Sequence, residues 1–198
     1  HDSDIEGLKE LAQVMKKNGA KAIVQIHHGG AQALPELTPD GDVVAPSAIS
    51  LKSFGQQKEH DAREMTAEEI EQTIRDFGEA TRRAIEAGFD GVEIHGANHY
   101  LIHQFVSPYY NRRNDVWADN YKFPVAVIDE VVKAKKAHAY DDFIIGYRLS
   151  PEEAESPGIS MEITEELIHQ IANKPLDYIH VSLMDVNSRS EEHTSELQ

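Results

Sequence analysis

Cysteine is missing from the 198 residues, which excludes disulfides, thiolate nucleophiles and thiolate-held metals from any account of the fold or the chemistry. The same absence fits a reducing compartment, and the cytoplasm is the expected location. Long hydrophobic runs are missing too. No stretch nears the roughly 18 apolar residues that cross a bilayer, and no charged start leads into an apolar segment as in a signal peptide. No membrane partner is expected. Positive charge is scarce: 19 Lys plus Arg stand against 35 Asp plus Glu, for a net charge of −16. That balance repels a phosphate backbone, so nucleic acid is not an expected partner either. What is present, 40% hydrophobic and 27% charged residues, supports one globular domain with a sizeable core rather than a disordered chain.

The chain begins at His1 and enters a helical pattern within a few residues, so an upstream segment is expected. At the other end, residues 189–198 (RSEEHTSELQ) resemble the translation of a short-read sequencing adapter and are expected to be a non-native tail. In between, short apolar runs alternate with amphipathic helices. Ile5, Leu8, Leu11, Ala12 and Met15 recur at helical spacing up to Asn18-Gly19, and the run Ala22-Ile23-Val24-Gln25-Ile26 follows. From His27 to Met65, Gly, Pro and charge are scattered with little periodicity, the pattern of a long functional loop. Thr66 and Glu69 form a capping box for a helix with Ile70, Ile74, Phe77, Thr81, Ala84 and Ile85 on one face, before a strand Gly91-Val92-Glu93-Ile94. Pro124 suits the first turn of a helix carrying Val127, Ile128, Val131 and Val132, and Phe143-Ile144-Ile145-Gly146-Tyr147 is the next strand. Thr164 is the expected cap of a helix with Leu167, Ile168 and Ile171; after the Pro175 break, Tyr178-Ile179-His180-Val181 is the fourth strand. Strands alternating with helices imply parallel pairing and an α/β class.

An open doubly wound sheet and a barrel are separated by the strand ends, because barrel enzymes carry catalytic groups where strands run into the following loops. Gln25, His95, Arg148 and Ser182 each sit at or just past the last apolar residue of their strand. No Gly-rich phosphate fingerprint follows a strand to favour a dinucleotide fold. The expected architecture is a partial TIM (β/α)8 barrel: about four of its eight units are visible, and a full one takes about 250 residues.

The densest chemistry follows the second strand. His95, Asn98 and Tyr100 leave one strand end within six residues, in a stretch that continues through Leu101, Gln104-Phe105 and Ser107-Pro108. Such a turn can aim two donors at one oxygen while a phenol stands nearby to deliver a proton. Taken alone, a histidine in a loop and a tyrosine in a core would explain His95 and Tyr100 equally well. The whole pattern, Glu93-Ile94-His95, Asn98, Tyr100-Leu101, Gln104-Phe105 and Ser107-Pro108, resembles the signature of the old yellow enzyme family. Two further segments are similar to that family: Gln25 followed by His28 and Gly30, and Arg148 within Gly146-Tyr147-Arg148-Leu149-Ser150.

The resemblance implies that residues 1–188 are the central part of one FMN-binding barrel. It implies a flavin-dependent oxidoreductase that takes hydride from NADH or NADPH and reduces the C=C bond of an α,β-unsaturated carbonyl substrate. Under it, His95 and Asn98 bond the substrate carbonyl and Tyr100 supplies the proton to Cα, opposite the hydride delivered to Cβ. Gln25 bonds the pyrimidine edge of FMN, and Arg148 lies near N1 and O2, where a fixed cation favours the reduced ring. Two departures stand out. Ala31 replaces a common Arg, with an expected effect near Gln25, and Trp117-Ala118-Asp119-Asn120 replaces the usual aromatic-Gly-Gly-Ser, with an expected change of loop shape. Self-association of the full-length protein is left open.

Two rival readings remain on the residues. His95, His99 and His103 recur every four positions, and on one helix they would share a face as metal ligands. Gly96 and the strand before His95 argue against a helix starting early enough, so no metal is expected, and His99 and His103 are read as loop or helix-surface residues. The acidic residues between 152 and 166 are read as a solvated face. The other rival is a barrel that binds a ligand without catalysis.

Overall fold

Each apolar run becomes a strand that turns alternate side chains to opposite sides. The computed structural model describes residues 1–52, 55, 58–139 and 142–183, so the expected tail at 189–198 lies outside the described residues. Helix α1 (Ile5–Lys16) leads into β1 (Ile23–Ile26), and α2 (Ala67–Glu86) leads into β5 (Gly91–Gly96). Helix α4 (Lys122–His138) precedes β6 (Ile144–Leu149), and α5 (Met161–Ile171) precedes β7 (Tyr178–Val181). The four strands form one parallel sheet in the order β1-β5-β6-β7. On one side, Val92, Ile94, Ile145 and Tyr147 are fully buried in a cluster with Phe77 of α2 and Val127, Ile128 and Val131 of α4. The other alternate positions carry Gln25, Glu93, His95, Arg148 and His180. This is the parallel βα arrangement expected for part of a barrel, with helices outside and polar side chains within.

The N-terminal ends of the strands are stapled by aspartates. Ala22 donates its N–H to Asp90 Oδ2 at 2.9 Å while the Asp90 N–H donates to Ala22 O, and Ile145 and Asp177 repeat the exchange at 2.8 Å in each direction. Burial alone would push the Asp90 carboxyl up, but the Ala22 N–H and the ammonium groups of Lys16 and Lys21 outweigh it and hold the group below its usual range.

Several expectations need correction. Residues 27–65 are not one irregular loop: β2 (Val44–Ala45), β3 (Ile49–Leu51) and β4 (His60–Glu64) form a second sheet in the order β2-β4-β3. Its core is Ala31, Val43, Ala45 and Ala62, side chains too small and strands too short to produce a periodic signal. Helix α3 (Leu101–Val106) was not foreseen; all six residues are buried, so it has no polar face to reveal a period. The cap of α5 is Ser160, whose hydroxyl accepts the Ile163 N–H, whereas Thr164 lies inside the helix and donates to Pro151 O at 2.6 Å. The face expected on α1 is only partly covered, with Leu11 51% and Met15 44% exposed. By contrast, the Thr66–Glu69 capping box forms in both directions. No helix among the described residues is long and apolar enough to cross a membrane.

Replacing Asp90 with Ala strands the buried Ala22 N–H and should lower the unfolding free energy at neutral pH by about 1–3 kcal/mol in urea melts. Because the folded carboxyl titrates low, its contribution is complete above the unfolded value of about 3.9 and fades as the pH falls below it. A difference between wild type and variant that persists undiminished in acid would assign the stabilisation to something other than this carboxylate.

Candidate active site

Register brings the polar side chains of the inner face into rows. Gln25, Glu93, Gly146 and Tyr178 lie level across the four strands, and His95, Arg148 and His180 form the next row toward the C-terminal ends. In the first row Glu93 is the common acceptor. The Gln25 amide donates to Glu93 Oε1 at 2.5 Å, and His180 Nδ1 donates to Oε2 at 3.0 Å. A carboxylate only accepts, so the atom that Gln25 turns toward it must be the NH2 group, which leaves the amide oxygen for an N–H on a bound molecule. Burial would raise Glu93, yet Gln25, His180 and Tyr178 hold it low; the Tyr178 phenol is in turn pushed up to about 12 by burial and by Glu93.

The second row leads into the turn. Strand β5 extends beyond the apolar run through His95 to Gly96, and the chain then bends through Asn98 and His99 at φ +56° and +58°. Left-handed backbone is uncommon outside glycine and marks positions that the surroundings over-determine. The buried His95 accepts the Ala97 N–H at Nδ1, 3.3 Å away, so its proton sits on Nε2. Burial, then Arg148 and His27, depress its pKa to about 4, so at neutral pH it is an uncharged donor. The Tyr100 ring packs edge-on against both His95 and His27, with centroids 5.0 Å apart in each case.

Asn98 is held from two sides: its N–H donates to Ser150 Oγ at 3.1 Å, and its Nδ2 donates to Ser182 Oγ at 3.3 Å. Arg148 Nη2 donates to the same Ser182 oxygen at 2.8 Å. Arg148 Nε is buried and has no hydrogen-bond partner among the described residues. The β1 loop is locked to α3 by Gln104, which accepts the Ala31 N–H and donates to His99 O. Gly30, at φ +55°, permits this approach, since a Cβ there would lie 2.3 Å from Gln104 Oε1.

The structure therefore gathers all five residues singled out from the sequence, Gln25, His95, Asn98, Tyr100 and Arg148, at the C-terminal ends of β1, β5 and β6. Glu93, His27, His180 and the role of Ser182 were not foreseen, although period-2 alternation places Glu93 beside His95 and His27 beside Gln25. Ala31 is a buried member of the small second core. The departure at Trp117 is accommodated by a tied-down loop: Trp117 N–H bonds Asp115, and Asn111 bonds Trp117 O. The three-histidine rival fails as drawn, because His95 ends a strand, His99 lies in the turn and His103 lies in α3. His99 and His103 are nevertheless buried rather than on a surface, and Glu153, read as solvated, has a fully buried side chain against them.

A family model described as NADH:flavin oxidoreductase / NADH oxidase matches residues 1–197. The chain belongs to that family. Within this flavin oxidoreductase family, it is 55% identical over 193 residues to the probable NADH-dependent flavin oxidoreductase YqiG of Bacillus subtilis, covering 96% of this chain and 50% of that protein. It is 48% identical over 187 residues to the NADH:fumarate oxidoreductase of Klebsiella pneumoniae, covering 92% of this chain but 20% of the relative. The crystal structure of Old Yellow Enzyme from Pichia sp. AKU4542 superposes with a TM-score of 0.77 at 28% identity, covering 91% of this chain and 52% of that one. The fold is part of a TIM barrel, and the chain spans half the length of the Bacillus relative.

The residues present fit a flavin: the half-buried Arg148 guanidinium, level with His95 and anchored by Ser182, keeps a buried Nε without a partner among the described residues, and Gln25 has its amide oriented by Glu93. The tautomer of His95 can be checked first. In 15N spectra at neutral pH its Nε2 should be protonated and its Nδ1 bare, with titration near pH 4; an Nδ1–H tautomer would remove it as an Nε2 donor, and an ordinary midpoint near 6.5 would show that the turn does not hold it neutral.

Proposed function

We propose that the protein containing this chain is an FMN-dependent oxidoreductase that takes hydride from NADH or NADPH and reduces the C=C bond of α,β-unsaturated carbonyl compounds. The observation that carries the reading is the turn after β5, where a neutral His95 with its proton on Nε2 stands beside Asn98 and the Tyr100 phenol. FMN, when bound, relays the two electrons as hydride from nicotinamide to the alkene. His95 Nε2–H and the Asn98 amide bond the substrate carbonyl oxygen, where negative charge develops as hydride arrives at Cβ. Tyr100 gives its hydroxyl proton to Cα and recovers one from solvent, so NAD(P)H and a proton are consumed for each alkene saturated. Arg148 holds a positive charge against the flavin, and Ser182 fixes both the Arg148 guanidinium and the Asn98 amide. Gln25 and Arg148 are the flavin contacts in this reading.

A second reading is favoured by one comparison. The Klebsiella relative is named for fumarate as well as NADH, yet this chain matches 20% of it. In this reading the shared portion is the NADH-oxidising half, and its electrons leave for an acceptor other than an enone.

In the full-length enzyme, Tyr100→Phe should slow turnover of cyclohexenone by about 10²–10⁴-fold while NADH or NADPH still bleaches the flavin at nearly the wild-type rate under anaerobic stopped flow. Unchanged enone turnover would reject Tyr100 as proton donor. A wild-type flavin that bleaches with NADH and is not re-oxidised by cyclohexenone would favour the second reading.

A further inference from the structure

The side chains directly behind the catalytic turn form a second polar cluster that the proposed reaction does not use. His103 Nε2 lies 2.6 Å from Glu153 Oε2, and His99 Nδ1 lies 3.7 Å from the same oxygen and 3.9 Å from Glu155 Oε2. One ligand atom each from His99, His103 and Glu153 fall within 4.8 Å of one another. Two carboxylates thus meet in largely buried surroundings with no lysine or arginine in ion-pair distance of either among the described residues. Glu155 Oε2 is itself buried and has no hydrogen-bond partner among the described residues. A buried carboxylate oxygen left without a donor is costly unless a cation satisfies it.

We propose that His99, His103, Glu153 and Glu155 form a binding site for one divalent transition-metal ion, zinc being the one that suits two imidazoles and two carboxylates. Zinc held at about 2.0–2.2 Å in a tetrahedron separates its ligands by about 3.3–3.6 Å, so the 3.7 and 3.9 Å gaps close slightly while the 2.6 Å gap between His103 and Glu153 opens by about 0.7–1 Å. The ion takes the place of the hydrogen bond between His103 Nε2 and Glu153 Oε2. The carboxylate is already oriented: Ser107 and the Ile159 N–H both donate to Glu153 Oε1, leaving Oε2 to the metal. Glu155, 28% exposed, provides the way in from solvent. The site also gives a reason for a non-glycine residue at φ +58°, since the strained backbone is what turns the His99 ring toward Glu153.

The test uses chelator-stripped protein, zinc titrated by calorimetry and cobalt by visible absorption, and the metal-free thermal midpoint of each variant. Wild type should take up one equivalent. Glu155→Gln should weaken zinc at least about tenfold, and His99→Gln, which keeps a polar side chain at this buried position, should lose it. Failure of the wild type to bind zinc, or binding in both variants indistinguishable from wild type, would overturn the site and assign any uptake to surface histidines.

Discussion

The Glu93 carboxylate is the interaction on which the inner face of the sheet depends. It is buried, charged at neutral pH, and reached by donors from strands on either side: Gln25 on β1, and His180 and Tyr178 on β7. A carboxylate so placed stabilises only while every lone pair is met, because an unmet one keeps the desolvation cost and returns nothing. The geometry of three strands is therefore coupled through one group. Gly146 belongs to the same constraint: level with Glu93, it leaves the space in which Tyr178 sits, and a Cβ there would fall 2.1 Å from the Tyr178 ring. With that row fixed, the row above it, His95, Arg148 and His180, has little freedom of placement.

The two ends of the strands divide the work that parallel pairing makes available. At the N-terminal ends, Asp90 and Asp177 exchange paired bonds with neighbouring backbone, a purely structural use of a carboxylate. At the C-terminal ends the side chains are neutral donors or lone cations with bonds still to make, as His95 Nε2 and Arg148 Nε show. This polarity is the general one of β/α barrels, and here it follows from particular residues rather than from the fold name.

Much of this was legible from the sequence because the information was local. The four sheet strands and helices α1, α2, α4 and α5 each had apolar residues at their own period, and Thr66 announced its capping box through Glu69 three positions on. What was not legible depended on partners distant in the chain. The sheet β2-β4-β3 closes on alanines, α3 is buried on every side, and Glu153 looks like one more solvated acid until the fold brings it to His103, fifty positions away. Thr164 misled for a related reason: its hydroxyl donates to Pro151 O, a partner distant in the chain, while the neighbouring Ser160 accepts the capping N–H. The turn after β5 was readable as a motif, but the protonation of His95 was not, since it rests on an Ala97 N–H that only the folded turn directs at Nδ1.

That turn is also where the two polar clusters meet. Asn98 bonds Ser182, which Arg148 also bonds, His99 faces Glu153 and Glu155, and the two residues are consecutive and both left-handed. A change of backbone at one must move the other, because neither can relax to an ordinary conformation without swinging its side chain out of its own cluster. The hydrogen bond from the Asn98 N–H to Ser150 and that from Gln104 to His99 O hold the peptide from outside. Whatever tightens the His99 side therefore narrows the range of positions open to the Asn98 amide and to Tyr100 just beyond it. In the proposed reaction, positioning of that kind counts for most, because the donors must already point at an oxygen before charge develops there.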